Sequence, residues 1–142
     1  MVLPDVNVLV YAHRAEVVDH QRYARWLEEV AGGDATFGLS DMVLSGFLRI
    51  VTHPRIFNPP TPLGAAMTFV EELRVRTNCV PVMAGPRHWG LFMGLCRRVG
   101  AKGNAVPAAY LAALAIESGS EWVTTDRGFA RFPGLRWRHP LD

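Results

Sequence analysis

The chain has 142 residues, 49% of them hydrophobic and 20% charged. That composition supports one folded domain around one core and excludes a disordered chain. Fifteen Lys and Arg against thirteen Asp and Glu leave a net charge of +2, too small for nucleic-acid binding by bulk charge alone. The most apolar stretch, around Ala105–Ile116, is shorter than the ~20 residues a membrane span needs. No basic leader precedes an apolar run at the start, and two cysteines, Cys79 and Cys96, are too few for a disulfide framework or a usual zinc site. A soluble, reduced, cytoplasmic domain without a membrane segment is expected.

The elements follow in chain order. Val2-Leu3 predicts a short buried strand that turns at Asp5 into a helical turn carrying Val8, Leu9 and Tyr11. From about Asp19 to Ala31, Tyr23, Trp26, Leu27 and Val30 recur at helical spacing until Gly32-Gly33 stop the pattern. Ala35–Gly38 reads as a second strand, with Ser40 as the N-cap of a helix running to about Thr52. Pro54, Pro59, Pro60 and Pro62 mark a loop, followed by an amphipathic helix over Leu63–Arg76. Cys79–Val82 is a short strand whose Pro81 suggests a sheet edge or a strand end. A helix from about Pro86 to Val99, a second one that Pro107 can open and Gly119 ends, and short strands at Glu121–Thr124 and Leu135–Trp137 complete the chain. Strands alternating with helices predict a single α/β domain over residues 1–142, with a mainly parallel central sheet.

In open parallel sheets, sites form beyond the carboxyl ends of the strands. Three acids fall there: Asp5, Asp41 and Asp126. Aspartate is a hard oxygen ligand for divalent ions, and carboxylates gathered at one sheet end repel one another unless a cation sits among them. The same three residues also suit plainer roles: Asp5 as a helix cap, Asp41 in a helix first turn, and Asp126 in a turn. Fourteen of the fifteen basic residues are arginine, and no acid stands between Glu72 and Glu117, a stretch that holds Arg74, Arg76, Arg87, Arg97, Arg98 and Lys102. A basic face near the middle of the chain is expected, either as a phosphate contact or as a solvated helix surface.

Asp5-Val6-Asn7-Val8-Leu9, the run Phe47–Arg55 and Val123-Thr124-Thr125-Asp126-Arg127 resemble the PIN-domain ribonucleases, and more narrowly the VapC toxins of bacterial toxin–antitoxin pairs. His88-Trp89, Gly103-Asn104, Leu111–Ala115 and Arg131–Leu135 extend the resemblance along nearly the whole chain. It implies a three-layer α/β/α sandwich and a metal-dependent endoribonuclease, in which a cluster of acids around Mg²⁺ or Mn²⁺ activates water. It also implies a homodimer, an RNA substrate and a cognate VapB-type antitoxin that blocks the acidic site. The first acid of the family corresponds to Asp5 and the last to Asp126. The second is usually a Glu that in the commoner spacing falls near Gly46, so Asp41 is assigned to it as the nearest acid. The third corresponds to Ala108, and a further acid often present two residues after the last corresponds to Gly128.

Ala108 is the departure that matters. A methyl group cannot coordinate Mg²⁺, so this chain is expected to bind metal weakly and to cleave RNA poorly. A weakened paralogue and a substitution made to disarm a toxic nuclease are the two origins that fit, and the intact surrounding motif favours the second. Arg49, eight residues after Asp41, is a candidate contact for RNA or a carboxylate. Asn7 and Thr125 are expected to orient Asp5 and Asp126 respectively. His53 is read as structural, and Trp26, Trp89, Trp122 and Trp137 as core or interface rather than base-stacking platforms. Two other readings stay open: a non-catalytic PIN fold that only binds RNA or antitoxin, and an unrelated α/β phosphohydrolase acting on a small phosphoester.

Overall fold

A computed structural model describes all 142 residues. The strands are β1 (Val2–Pro4), β2 (Phe37–Ser40), β3 (Cys79–Val82), β4 (Glu121–Val123) and β5 (Trp137–Arg138). They form one sheet in the order β3-β2-β1-β4-β5, and every pairing is parallel. Parallel strands need crossovers, which the helices supply: α1 (Val6–His13), α2 (His20–Ala31), α3 (Asp41–Val51), α4 (Leu63–Arg74), α5 (His88–Val99) and α6 (Ala105–Glu117). Because helices cover both faces in a three-layer α/β/α sandwich, the strands are short and apolar. Leu3, Phe37, Trp122 and Val123 are fully buried.

Local chemistry explains where elements start and stop. The Ser40 hydroxyl accepts from the Met42 N–H (3.2 Å) and caps α3. Gly119, at φ 66°, ends the turn after α6 in the left-handed region that a glycine enters freely. β3 lies at the sheet edge, where Pro81 costs no ladder bond. The buried Asn78, just ahead of β3, donates from its amide to the carbonyls of Val30 (3.1 Å), Gly33 (3.1 Å) and Ala35 (2.9 Å). This ties the α2–β2 loop to the start of the edge strand.

Strand and helix existence follow the sequence reading closely, with boundary shifts. β2 begins at Phe37 rather than Ala35, and β5 covers Trp137–Arg138 rather than Leu135–Trp137. Tertiary pairing sets both limits: Phe37 is the first residue in register with Val2 and Cys79, and Trp137 is the first in register with Trp122. Trp26 and Trp122 are core residues, but Trp89 is 64% exposed on α5. Its neighbour His88 takes the inward position instead, with Nε2 3.0 Å from the Tyr110 carbonyl oxygen.

Candidate active site

The chain runs β1, β2, β3 to one side of the sheet and then returns to place β4 and β5 on the other. The order therefore reverses between β1 and β4, and a crevice at the carboxyl ends of these two strands is the expected ligand position in such a sheet. Asp5 follows β1 there, and Asp126 follows β4 two residues beyond Thr124. The Asp5 N–H donates to the Val123 carbonyl (2.8 Å), continuing the β1–β4 ladder to the edge of the crevice.

Asp5 is 8% exposed. One carboxylate oxygen accepts from the Val6 N–H (2.7 Å), capping α1, and the other accepts from the Thr124 hydroxyl (2.7 Å). The same hydroxyl accepts from the Asp126 N–H (3.0 Å). Burial pushes the Asp5 carboxyl above its ordinary range, the bonds from Thr124 and Val6 pull it back, and the Asp126 charge adds a smaller upward push. Asp126 is exposed, and its carboxylate accepts from the Gly128 N–H (2.8 Å), capping a 3₁₀ turn over Arg127–Arg131. The capping roles and the convergence of the two acids therefore coexist. A Cβ at position 128 would lie 2.9 Å from an Asp126 carboxylate oxygen, so glycine keeps that side of the acid open.

The remaining candidates fall differently. Asp41 opens α3 at the carboxyl end of β2 but is exposed, lining a groove with Leu39, Leu44, Arg74, Cys79 and Pro81. The groove lies on the β3 side of β2: its lining joins Leu39 of β2 and Leu44 of α3 to Cys79 and Pro81 of β3 and Arg74 of α4. Gly46 is the α3 residue that meets α1 beside Asp5: a Cβ there would sit 3.0 Å from Val6 Cγ2. Thr125 makes no side-chain hydrogen bond and is half-buried; the hydroxyl that bonds Asp5 and the Asp126 N–H is that of Thr124, which is fully buried. Asn7 is half-buried in the first turn of α1, and no hydrogen bond joins its side chain to Asp5. Arg49 is exposed and pairs with no carboxylate in the chain. The His53 ring nitrogen Nδ1 accepts from the Arg55 N–H (3.1 Å) and shapes a turn.

Thr124 is the site residue that sequence reasoning missed. The signal was a hydroxyl at the end of an otherwise apolar buried strand, since a buried hydroxyl requires partners.

Against known proteins, the PIN domain model matches residues 2–135. The chain belongs to the PIN-domain family. This PIN domain is 47% identical over 142 residues to the VapC ribonuclease Mb2897 of Mycobacterium bovis and to ribonuclease VapC43 of Mycobacterium tuberculosis, covering 100% of this chain and 97% of each relative. It is 38% identical over 140 residues to ribonuclease VapC25 of Mycobacterium tuberculosis, with 99% of both chains covered. Among solved structures it resembles VapBC2 from Rickettsia felis bound to a promoter DNA fragment (TM-score 0.69, 18% identity, 98% of each chain). It also resembles VapBC-1 from nontypeable Haemophilus influenzae (TM-score 0.69, 13% identity, 100% of each chain). The fold of this PIN domain is theirs.

The residues of this PIN domain do not complete a divalent-ion site. Asp5 and Asp126 supply two carboxylates, Ala108 puts a half-buried methyl in the first half of α6, and no three His, Cys, Asp or Glu side chains converge anywhere in the chain. A buried carboxylate beside an exposed one is a partial ligand set, which leaves the rest of a divalent ion's shell to water and to the phosphates of a substrate.

Proposed function

We propose that this PIN domain is a VapC-type endoribonuclease toxin, weakened at Ala108, whose lineage hydrolyses RNA phosphodiester bonds. The reading rests on one observation above the rest: Asp5 and Asp126 meet through Thr124 at the point where the strand order reverses. Full-length similarity to curated VapC ribonucleases gives the pair its chemistry. Mg²⁺ or Mn²⁺ is the cofactor of the complete site, with Asp5, Asp126 and an acid at position 108 as its ligands. Asp41, in the groove beside β3, serves in a supporting capacity only if the RNA reaches that groove, and Arg49, exposed and without a carboxylate partner, is free to meet a phosphate. Asn7, half-buried beside Asp5, and Thr125, beside Asp126, would contact the metal's water shell.

The protein acts in the cytoplasm as a homodimer, and a VapB-type antitoxin restrains it by placing a basic side chain against the Asp5–Asp126 pair. Structural neighbours that carry VapB and VapC together support that partner. A second reading is favoured by Ala108 itself: a PIN fold that retains binding to RNA or antitoxin and has given up cleavage.

A ribonuclease assay with Mn²⁺ on total tRNA and a structured ribosomal fragment separates the two, comparing this chain with Ala108→Asp. Cleavage by the substituted chain that disappears with chelator is the expected result. Silence from both forms, with circular dichroism unchanged, overturns the nuclease reading in favour of binding alone.

A further inference from the structure

The six basic residues of the acid-poor stretch divide into two groups in space. Arg76 sits within 3.6 Å of Glu28, Arg87 donates to the Glu117 carbonyl (3.4 Å), and Arg74 lines the groove beside Asp41. Arg97, Arg98 and Lys102 are exposed and pair with no carboxylate in the chain. These three occupy the last turn of α5 and the loop to α6.

Their position follows from how α5 and α6 run. The carboxylate of Glu117, at the end of α6, accepts from the N–H groups of Gly85 (2.7 Å) and Arg87 (2.9 Å), just ahead of α5. The two helices are therefore antiparallel, and the end of α5 lies beside the start of α6. α6 in turn leads into β4 at the amino end of the sheet, where the Glu121 N–H bonds the Met1 carbonyl (2.9 Å). Its start, with Ala108 in the second turn, lies toward the carboxyl ends that carry Asp5 and Asp126. Gly100 (φ 62°) and Gly103 (φ 58°) turn the short connection, residues 100–104, that carries Lys102 between the two helices. Macrodipole complementation accounts for arginines at the end of α5, but Lys102 lies outside any helix and is not explained by it.

We infer that Arg97, Arg98 and Lys102 form a phosphate-binding edge that holds the backbone of a single RNA strand at the α6 side of the Asp5–Asp126 crevice. This rests on the RNA-cleaving reading above. The edge is sequence-blind: it contacts phosphates and sets the register of the strand, and leaves the choice of bases to other surfaces.

The test measures binding of a labelled single-stranded oligoribonucleotide by the whole chain in chelator, where no cleavage interferes, across a salt series. Arg97→Gln/Arg98→Gln/Lys102→Gln is expected to weaken binding about ten-fold or more at low salt and to reduce the slope of log K against log salt by about 2, near 0.7 per lost contact. Lys102→Gln alone reduces that slope by about 0.7. Arg76→Gln, which precedes β3 at the amino end of the sheet, leaves both quantities unchanged. Equal binding by the triple variant and the unsubstituted chain overturns the inference while the nuclease reading stands. No RNA binding by any form, including Ala108→Asp, overturns both.

Discussion

The hydroxyl of Thr124 donates to Asp5 at 2.7 Å and accepts the N–H of Asp126 at 3.0 Å, so one buried side chain sets the spacing between two acids that are 121 residues apart (126 − 5) in the sequence. Replacing it by Val removes the donor to a buried carboxylate and leaves the Asp126 N–H without its acceptor. Thr124→Val is expected to lower stability by about 2 kcal/mol, since bonds to charged groups are worth more than neutral ones. Thr124→Ser keeps the hydroxyl and loses only a buried methyl, about 1 kcal/mol. Urea denaturation of the two variants checks the order; equal losses would mean that packing, not the bridge, is what Thr124 supplies.

Ala108→Asp changes stability in opposite directions with and without metal. On the proposed ligand set an acid at position 108 faces Asp5 and Asp126, and in chelator it repels them, so the melting temperature is expected to fall by a few degrees. With excess Mn²⁺ the variant gains a third ligand and its melting temperature rises well above that of the unsubstituted chain, by mass action on the folded state. Differential scanning fluorimetry with and without Mn²⁺ reads both. A metal-induced shift of the same size in both chains would place the third ligand elsewhere.

Asn78 holds three carbonyls with one amide. Asn78→Ala removes all three bonds, two of them to carbonyls of the exposed residues Gly33 and Ala35 that water can reach, and is expected to cost about 1 kcal/mol. Asn78→Asp has the same shape but only accepts, so at neutral pH it faces carbonyl oxygens with a negative charge and loses at least as much. An Asn78→Asp chain as stable as the original in urea would show that water satisfies these carbonyls equally well.

His13 packs against Phe47 and Phe69, and its Nε2 lies 3.1 Å from the Thr61 hydroxyl, which pins the proline-rich loop to α1. Burial, and then the neighbouring Arg14 charge, hold its pKa below the ordinary 6.5. A histidine with a depressed folded pKa is neutral in the native state, so its contribution to stability is complete above the unfolded value. That contribution is lost as pH falls from about 6.5 through the folded pKa. Stability should therefore decline on acidification across that window, and His13→Phe should flatten the decline. An unaltered pH profile in His13→Phe would assign the acid sensitivity to other groups.

The arrangement of elements was largely legible in the chain because each signal was local. Short apolar runs, the Ser40 cap, the glycine stops and Pro81 each act through their own backbone, so alternating strands and helices, a mainly parallel sheet and an edge or strand-end place for Pro81 could be read directly. The site was legible only in outline. Asp5 and Asp126 announce themselves by following apolar strands, and they do come together. Asp41 announces itself in the same way and does not join them, because its distance from Asp5 depends on which side of β2 the first turn of α3 faces. Thr124 and Thr125 are the same residue type side by side just past β4, and only the tertiary structure shows Thr124 as the one buried against Asp5. Likewise, all six cations of the acid-poor stretch look alike in one dimension, and helix direction separates Arg97, Arg98 and Lys102 from Arg76 and Arg87, which bond elsewhere, and from Arg74 in the groove beside Asp41.

The order of residues alone supplied the chemistry: which acids end strands, and where positive charge accumulates without acids to offset it. Packing in three dimensions settled which of those groups meet. Strand order brings β1 beside β4 and so Asp5 beside Asp126, and no local signal encodes that order. It emerges as the crossovers compete to bury their helices on a twisted sheet, a choice made by the packing of the whole core.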